Sequence, residues 1–584
     1  MHKSTYIRQY YPMGLFTTLV ASCAVIGCIP SLQIIVQRNL IDTAIDGLAN
    51  GSLQAFIVHL IRFIALILLD SLLASLLQFG TNHLNLIVGK KLDSQRVNKC
   101  CNVSFPIMET QAFHDLCEQA EKASESDQGF FAALQTGIKS TIQIITSFVV
   151  LSSIDVRTAV VIFVLLLLGI GINKSAAKNS GNIWGEYIQN MRYANYLSSL
   201  LLYREYAMER KVFHYNPEIE NRYHKDCLVA IEKNSKLGHK RLISESVTTL
   251  FSAIYSMTAI LLLGTSVGNG DITVGSFIAA FSAISSLRNV TSQLYGAIFD
   301  VSNNFNRLSG FFSLLELDED CTPSLDEPID ILKGIEFQNV SFSYPGMSFP
   351  VLENVSFILK PGMHYALVGE NGCGKTTLVK LLIGLYQPTS GRILVGGKDV
   401  RKMCIEEKRQ IFSAIFQDFF RYPLSIRENV SLSSPMPQSS NIINDALDAL
   451  HFDAPLRQKE NGLDIGLGFL TQESTDLSGG EWQKLTIARS ILSPAQVIVL
   501  DEPNAALDPM SEMAFYRVYE EMFASKTTLF ISHRLGAVKS ADQILVLHNS
   551  HLIAMDSHNS LMNTCGYYRK LFETQRGLYY GSQA

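Results

Sequence analysis

Read for hydrophobic and polar positions, the chain divides into a first half of long apolar runs and a second half of short alternating ones. Residues 9–37 carry no formal charge over 29 positions, more than the ~20 residues that cross a bilayer. Arg38 stands where a small-residue cleavage site would be needed, so the run predicts a retained span and not a signal peptide. Further apolar runs cover 56–80, interrupted by Arg62 and Asp70, then 132–154, 158–173, 246–270, and 272 to beyond Leu287. The third and fourth form a hairpin around Asp155-Val156-Arg157. The expectation is an all-α membrane domain of six spans. A soluble domain would have to hide six unusually long apolar helices in one core.

Basic residues set the expected orientation. The segment after the second run holds Lys90, Lys91, Arg96, Lys99 and Lys122, and the segment after the fourth holds ten Lys and Arg from Arg192 to Arg241. The opposite connections hold almost none, which places both termini in the cytoplasm. Each basic segment has a patterned tip, Ser104-Phe105-Pro106 through Leu116 and Leu200 through Arg210, read as a short amphipathic turn on a helical extension of the spans. A solvated helical hairpin would give the same pattern. Asp70 and Arg288 fall inside apolar runs, where charges usually face a bundle interior or water. Both are candidates for the wall of a transport path, the alternative being that each reaches the headgroup region alone.

Between 315 and 333 the composition turns acidic, with Pro323 and Pro328 and no periodicity, and reads as a linker. The expected division is a membrane domain over 1–314, the linker, and an α/β domain over 334–584. In the latter, Tyr365-Ala366-Leu367-Val368 leads into Gly369-Glu370-Asn371-Gly372-Cys373-Gly374-Lys375-Thr376-Thr377, the G-x-x-x-x-G-K-[ST] pattern between a strand and a helix. Glycines let consecutive N–H groups turn onto phosphates, and the helix adds its positive end. Lys375 would neutralise the β- and γ-phosphates of ATP, and Thr376 would offer its hydroxyl to Mg²⁺.

Downstream, Val497-Ile498-Val499-Leu500 is a buried strand that ends on Asp501-Glu502. A strand C-terminus is where an α/β sheet places its chemistry. Asp501 suits a Mg²⁺ ligand, direct or through water, and Glu502 a base for the attacking water. A later strand over 528–532 delivers His533, a donor within reach of a γ-phosphate. Tyr344 closes the alternating strand over 335–344, where it could stack on adenine or simply pack. Charge adds an exclusion: a net charge of −5 without a basic block argues against nucleic acid as partner. Ten cysteines without a C-x-x-C pair or Cys/His cluster fit reduced thiols better than disulfides or zinc.

Taken together, residues 335–560 resemble the nucleotide-binding domain of the ABC family. Tyr344 matches the aromatic A-loop, Gly369 to Thr377 Walker A, Gln417 the Q-loop, and Leu477-Ser478-Gly479-Gly480-Glu481 the signature. Asp501 and Glu502 match Walker B and the catalytic glutamate, Asp508 the D-loop, and His533 the switch histidine. With the preceding spans the whole is similar to an exporter-type half-transporter in the cell membrane, and the two tips match its coupling helices. Departures from the commonest exporter motifs, Glu481 in the signature and Pro503-Asn504-Ala505-Ala506 after Glu502, together with 417–423, are similar to exporters of lanthipeptides and related ribosomal peptides. No cysteine-peptidase domain precedes the first run, so a leader peptide would be removed elsewhere.

The resemblance implies a dimer, a homodimer or one with another half-transporter. Each ATP would lie between the phosphate loop of one copy and Ser478, Gly479 and Gly480 of the other. It adds Gln417 to Thr376 and Asp501 around Mg²⁺, and Asp508 to the nucleotide site. The expected activity is ATP hydrolysis coupled to export of a peptide. A lipid flippase or exporter of amphipathic small molecules is the alternative, and an ATP-gated channel or membrane regulator a more distant one.

Overall fold

The structure is a computed structural model that describes residues 3–50, 53–164, 191, 193–320, 329–434, 438–452, 455–458, 462–468, 475–503, 515, 519, 521, 523–531 and 538–580. The chain packs as two units, one comprising Met1–Cys101 with Gln111–Leu317, the other Asn102–Thr110 with Asp318–Ala584.

The first unit is helical. Three of its helices are long and apolar enough to cross a bilayer: Met13–Leu48, Gln54–Asn102 and Ala123–Ile154. The expected count of six is therefore not reproduced among the described residues. The fourth run is helical over 156–164, and 165–190 lie outside the described residues. The fifth belongs to helix Asn216–Gly268, in which the apolar stretch among the described residues is Ser256–Gly268. The sixth, Val274–Arg307, is long enough, but Ser282, Ser285, Ser286, Asn289, Thr291, Ser292 and Gln293 dilute its hydropathy.

Small residues let these helices approach. Ala279, Ala280 and Ala283 of Val274–Arg307 are fully buried in one cluster with Val150, Leu151 and Ile34. A Cβ on Gly27 would lie 3.0 Å from the Lys139 carbonyl oxygen, so only glycine fits there without a shift. Helix Gln54–Asn102 instead leaves Leu68, Leu72 and Phe79 exposed, the kind of surface that lipid covers. Of the two charges in apolar runs, Asp70 is half-buried and Arg288 exposed. The N-terminal helix Lys3–Tyr10 is pinned by polar contacts in an aromatic nest. The Tyr6 and Tyr11 hydroxyls both donate to Oδ1 of buried Asp127, at 2.7 and 2.6 Å, and the Tyr6 ring meets Phe130, Phe305 and Phe312 edge-on.

The second unit is built on two sheets. One is antiparallel, made of β1 (Ile335–Phe342), β2 (Leu352–Leu359), β4 (Ser390–Val395) and β5 (Lys398–Asp399) in the order β2-β1-β4-β5. Phe337 of β1 stacks on Phe357 of β2 with ring centres 4.3 Å apart. The other runs β10-β9-β3-β8-β7-β6, from β3 (His364–Val368), β6 (Phe412–Ile415), β7 (Val497–Asp501), β8 (Thr527–Ile531), β9 (Gln543–His548) and β10 (His551–Asp556). Its pairs are parallel except β9 with β10. Strands buried on both faces read as continuous apolar runs, which is why β7 is Val-Ile-Val-Leu before its terminal Asp501. Because β3, β8, β7 and β6 point the same way, their C-terminal ends gather at one edge.

The Tyr6–Asp127–Tyr11 contact generates a stability prediction. Asp127→Ala removes the acceptor of two buried hydroxyls, each left unsatisfied at a cost of about 1–3 kcal/mol. The purified chain should unfold at a clearly lower temperature, and Asp127→Asn, which keeps an acceptor oxygen, should recover most of the loss. An unchanged midpoint for Asp127→Ala would show that the pair does not hold the N-terminal helix.

Candidate functional site

The site grows from the C-terminal ends of β3 and β7. After Val368 the chain turns through Gly369–Thr377, with Gly372 at φ +81° and Gly374 at φ +103°, and enters helix Lys375–Leu382. Glycine is required at two of these positions for reasons of space. A Cβ on Gly369 would meet the Leu547 carbonyl oxygen at 2.4 Å, and one on Gly374 would meet Leu352 and the Val351 carbonyl below 3.0 Å, besides its left-handed φ. Gly372 has nothing within 4 Å of an added Cβ, so there the conformation alone selects glycine.

Lys375 is buried, and its Nζ donates to the carbonyl oxygens of Gly369 and Glu370 at 2.9 Å each. The cation is thus held inside the loop by groups weaker than a phosphate oxygen, to which a charge-assisted bond would be stronger. Burial pushes the Cys373 thiol up from its ordinary value, while Lys375 opposes this. Cys373 is thus a partly buried thiol packed in the loop.

Thr376 Oγ1 donates to Asp501 Oδ2 at 3.0 Å, joining the start of the helix to the end of β7. Asp501 is buried, and burial raises its carboxyl above the ordinary range; the Thr376 bond opposes this, and the negative charges of Glu502 and Asp418 add to the rise. A hydroxyl and a carboxylate oxygen side by side in a pocket of negative charge are a donor set suited to a hard divalent cation such as Mg²⁺. Gln417, exposed, lies two residues beyond Ile415 of β6, whose register partner Leu500 directly precedes Asp501. The two thus reach the same edge of the sheet.

The backbone at Glu502 has a feature that no residue pattern announces. Its φ is +49°, while its N–H donates to the Ile531 carbonyl at 3.1 Å. A non-glycine residue in the left-handed region costs about 1–2 kcal/mol, so the last bond of the β7–β8 ladder holds the residue in a turn off the strand.

Tyr344 is half-buried, with its hydroxyl 3.1 Å from Thr377 Oγ1 and its ring edge-on to Phe342 and Tyr386. Ser478, Gly479 and Gly480 open helix Gly479–Ile491, where Ser478 and Glu481 form a reciprocal capping box. Ser478 and Gly479 are exposed. The neighbouring Trp482 is 1% exposed and donates from Nε1 to Asp476 Oδ1 at 3.0 Å, a core residue. Asp508 and His533 lie outside the described residues. The phosphate loop, Tyr344, Asp501 and Glu502 are brought together at one edge. Tyr386, Lys380 and Glu109, which the structure adds around Tyr344, carry no motif that sequence reasoning could have found.

Residues 352–505 match the protein family described as "ABC transporter". Over 96% of the chain the sequence is 26% identical to the "Subtilin transport ATP-binding protein SpaT" of Bacillus subtilis, with 92% of that protein covered. It is 24% identical, over 96% of the chain and 93% of the relative, to the "Nisin transport ATP-binding protein NisT" of Lactococcus lactis. An "ATP-dependent lipid A-core flippase" of Alcanivorax borkumensis is 31% identical, over 62% of each chain. The solved "Structure of a bacterial Atm1-family ABC exporter with ATP bound" has the same fold, with a TM-score of 0.82 over 96% of this chain and 98% of that one at 18% identity.

The capping box tests why Glu481 stands in the signature. A single oxygen, Glu481 Oε2, accepts from both the N–H and the hydroxyl of Ser478, and a glutamine carbonyl oxygen can take its place, so Glu481→Gln should change stability by less than about 0.5 kcal/mol. Ser478→Ala, which deletes the cap, should cost about 1 kcal/mol. Thermal unfolding of the two variants side by side gives the comparison, and an equal loss in both would contradict the capping role.

Proposed function

Since the chain carries an ABC transporter ATP-binding domain behind an apolar helical half, the architecture of an ATP-driven exporter, we propose that it exports a ribosomally made, modified peptide across the plasma membrane as a homodimer. ATP hydrolysis drives that transport, and the observation that carries the catalytic reading is the Thr376–Asp501 contact at the head of the glycine loop. The membrane half decides cargo, which gives weight to the relatives matched along the whole chain. Both are named for transport of a peptide, while the similarity to the flippase extends over 62% of the chain. A lipid flippase or exporter of amphipathic molecules is the second reading.

In the proposed mechanism Lys375 leaves the carbonyl oxygens of Gly369 and Glu370 for the β- and γ-phosphates, while N–H groups of 369–377 cradle them. Thr376 Oγ1, Asp501 and Gln417 are the residues that would hold Mg²⁺. When bound, the ion neutralises charge on the triphosphate. Tyr344 stacks on the adenine. Glu502, presented by its left-handed turn, accepts the proton of the attacking water. His533 donates toward the γ-phosphate, and Asp508 contacts the nucleotide site at the dimer interface. Exposed Ser478 and Gly479, with Gly480, close over the ATP of the second copy.

Two further observations support a dimer. The second tip, around Arg204–Tyr206 and Ala207–Phe213, presents Leu202, Met208 and Val212 at 70–79% exposure, and Phe420 beside Tyr422 is 66% exposed. Apolar side chains of this size on cytoplasmic elements are what a second copy would cover. A cytoplasmic side for the termini and the ATPase domain is supported by the Lys and Arg of the two tip-bearing segments.

Glu502→Gln keeps the shape of the site and removes the proton acceptor. ATP hydrolysis should fall by about 10²–10⁴-fold while equilibrium ATP binding is retained. Lys375→Ala should instead weaken binding itself. Hydrolysis by Glu502→Gln at the unmodified rate would remove the base from the mechanism.

A further inference from the structure

The short helix Phe105–Met108 interrupts the first unit's sequence, yet its segment Asn102–Thr110 packs within the second unit. What it packs on is a compact polar and aromatic cluster. The Tyr386 hydroxyl donates to the carboxylate of Glu109, and the Phe105 ring sits edge-on to Tyr386 at 5.7 Å. Tyr386, 4% exposed, is in turn edge-on to Tyr344 at 5.2 Å and an interplanar angle of 87°. Lys380 Nζ lies 5.6–5.8 Å from the centroids of Phe105, Tyr344 and Tyr386, and 3.5 Å from Glu109 Oε1.

The energetic weights of these contacts differ. The Lys380–Glu109 pair is partly solvated, with Glu109 44% exposed, and is worth little by itself. A phenol donating to a carboxylate from a buried ring is charge-assisted and directional. Burial first, and the hydrogen bond to Glu109 second, push the Tyr386 hydroxyl above its ordinary range, so it stays a proton donor. The Tyr344 ring itself has few degrees of freedom left: its hydroxyl meets Thr377, and its ring packs at near right angles against both Phe342 and Tyr386. Whatever moves Tyr386 therefore moves the face that Tyr344 offers to a base.

We propose that Glu109 and Tyr386 are positioning residues for the nucleotide: Glu109, through the Tyr386 hydroxyl, sets the orientation of the Tyr344 ring and thereby the affinity for the adenine base. This rests on the reading above that Tyr344 stacks on adenine. Binding linkage is reciprocal, so a base stacked on Tyr344 favours the tip position in which Glu109 accepts from Tyr386. The segment between two long apolar helices is thus informed of the base, separately from the phosphate end of the nucleotide.

Steady-state ATP hydrolysis by the full chain in nanodiscs, with equilibrium titration of a ribose-labelled fluorescent ATP analogue, tests this. Tyr386→Phe, which keeps the ring, and Glu109→Ala should each raise KM and the analogue's Kd about fivefold, the effect of one net hydrogen bond, with kcat within twofold. Glu109→Gln still accepts the phenol proton and should restore KM. In a Tyr344→Ala background neither substitution should shift KM further, because coupled residues give non-additive cycles. Unchanged KM and Kd in Tyr386→Phe and Glu109→Ala would overturn the proposal. So would a shift of the same size in the Tyr344→Ala background, which would mark a general packing effect. If Tyr344→Ala by itself leaves both constants unchanged, the stacking reading fails and the proposal falls with it.

Discussion

The Thr376–Asp501 hydrogen bond is the contact on which the catalytic half depends, because it can form only if two distant pieces of sequence end at one place. Thr376 follows β3 through the glycine loop, and Asp501 terminates β7, with β8 between the two strands in the sheet. The parallel arrangement aligns their C-terminal ends, and the three strands are almost wholly buried. The interior of the sheet thus supplies rigidity. The exposed edge carries the chemistry, as open α/β sheets generally do. Placing Asp501 there has an electrostatic cost, seen in its raised carboxyl, and a loop holding Lys375 beside it offsets part of that cost.

Much of this was legible in the sequence for a physical reason. A phosphate loop needs glycines at sterically fixed positions, and the Cβ clashes at Gly369 and Gly374 show why no substitution keeps the pattern. A buried parallel strand needs an unbroken apolar run, which made β7 and the carboxylates after it visible. The Tyr386–Glu109 contact was not legible, since the two residues are 277 positions apart and belong to no repeating pattern. Nor was the left-handed turn at Glu502, which reflects a ladder bond and not a residue preference.

The helical half was read less well because hydropathy averages along the chain, whereas burial is decided face by face. Val274–Arg307 is rich in serine and asparagine, yet Ala279, Ala280, Ala283 and Leu287 on one face are fully buried. Such a helix earns its place by close packing against Ala123–Ile154 and not by apolarity alone. Gln54–Asn102, with its exposed leucines, is the opposite case and was the easier one to recognise. The double tyrosine anchor on Asp127 was hidden as well, because a tyrosine pair before an apolar run is indistinguishable from an interfacial belt.

The central claim is that hydrolysis at this site moves a peptide across a membrane. ATP-dependent accumulation of a radiolabelled, modified peptide inside inside-out vesicles carrying the protein measures it directly. The account predicts uptake against the peptide's gradient that stops when Glu502 is replaced by Gln, with no uptake of a fluorescent phospholipid under the same conditions. Peptide levels that never exceed the external concentration while ATP is consumed, or lipid translocation in place of peptide uptake, would contradict it.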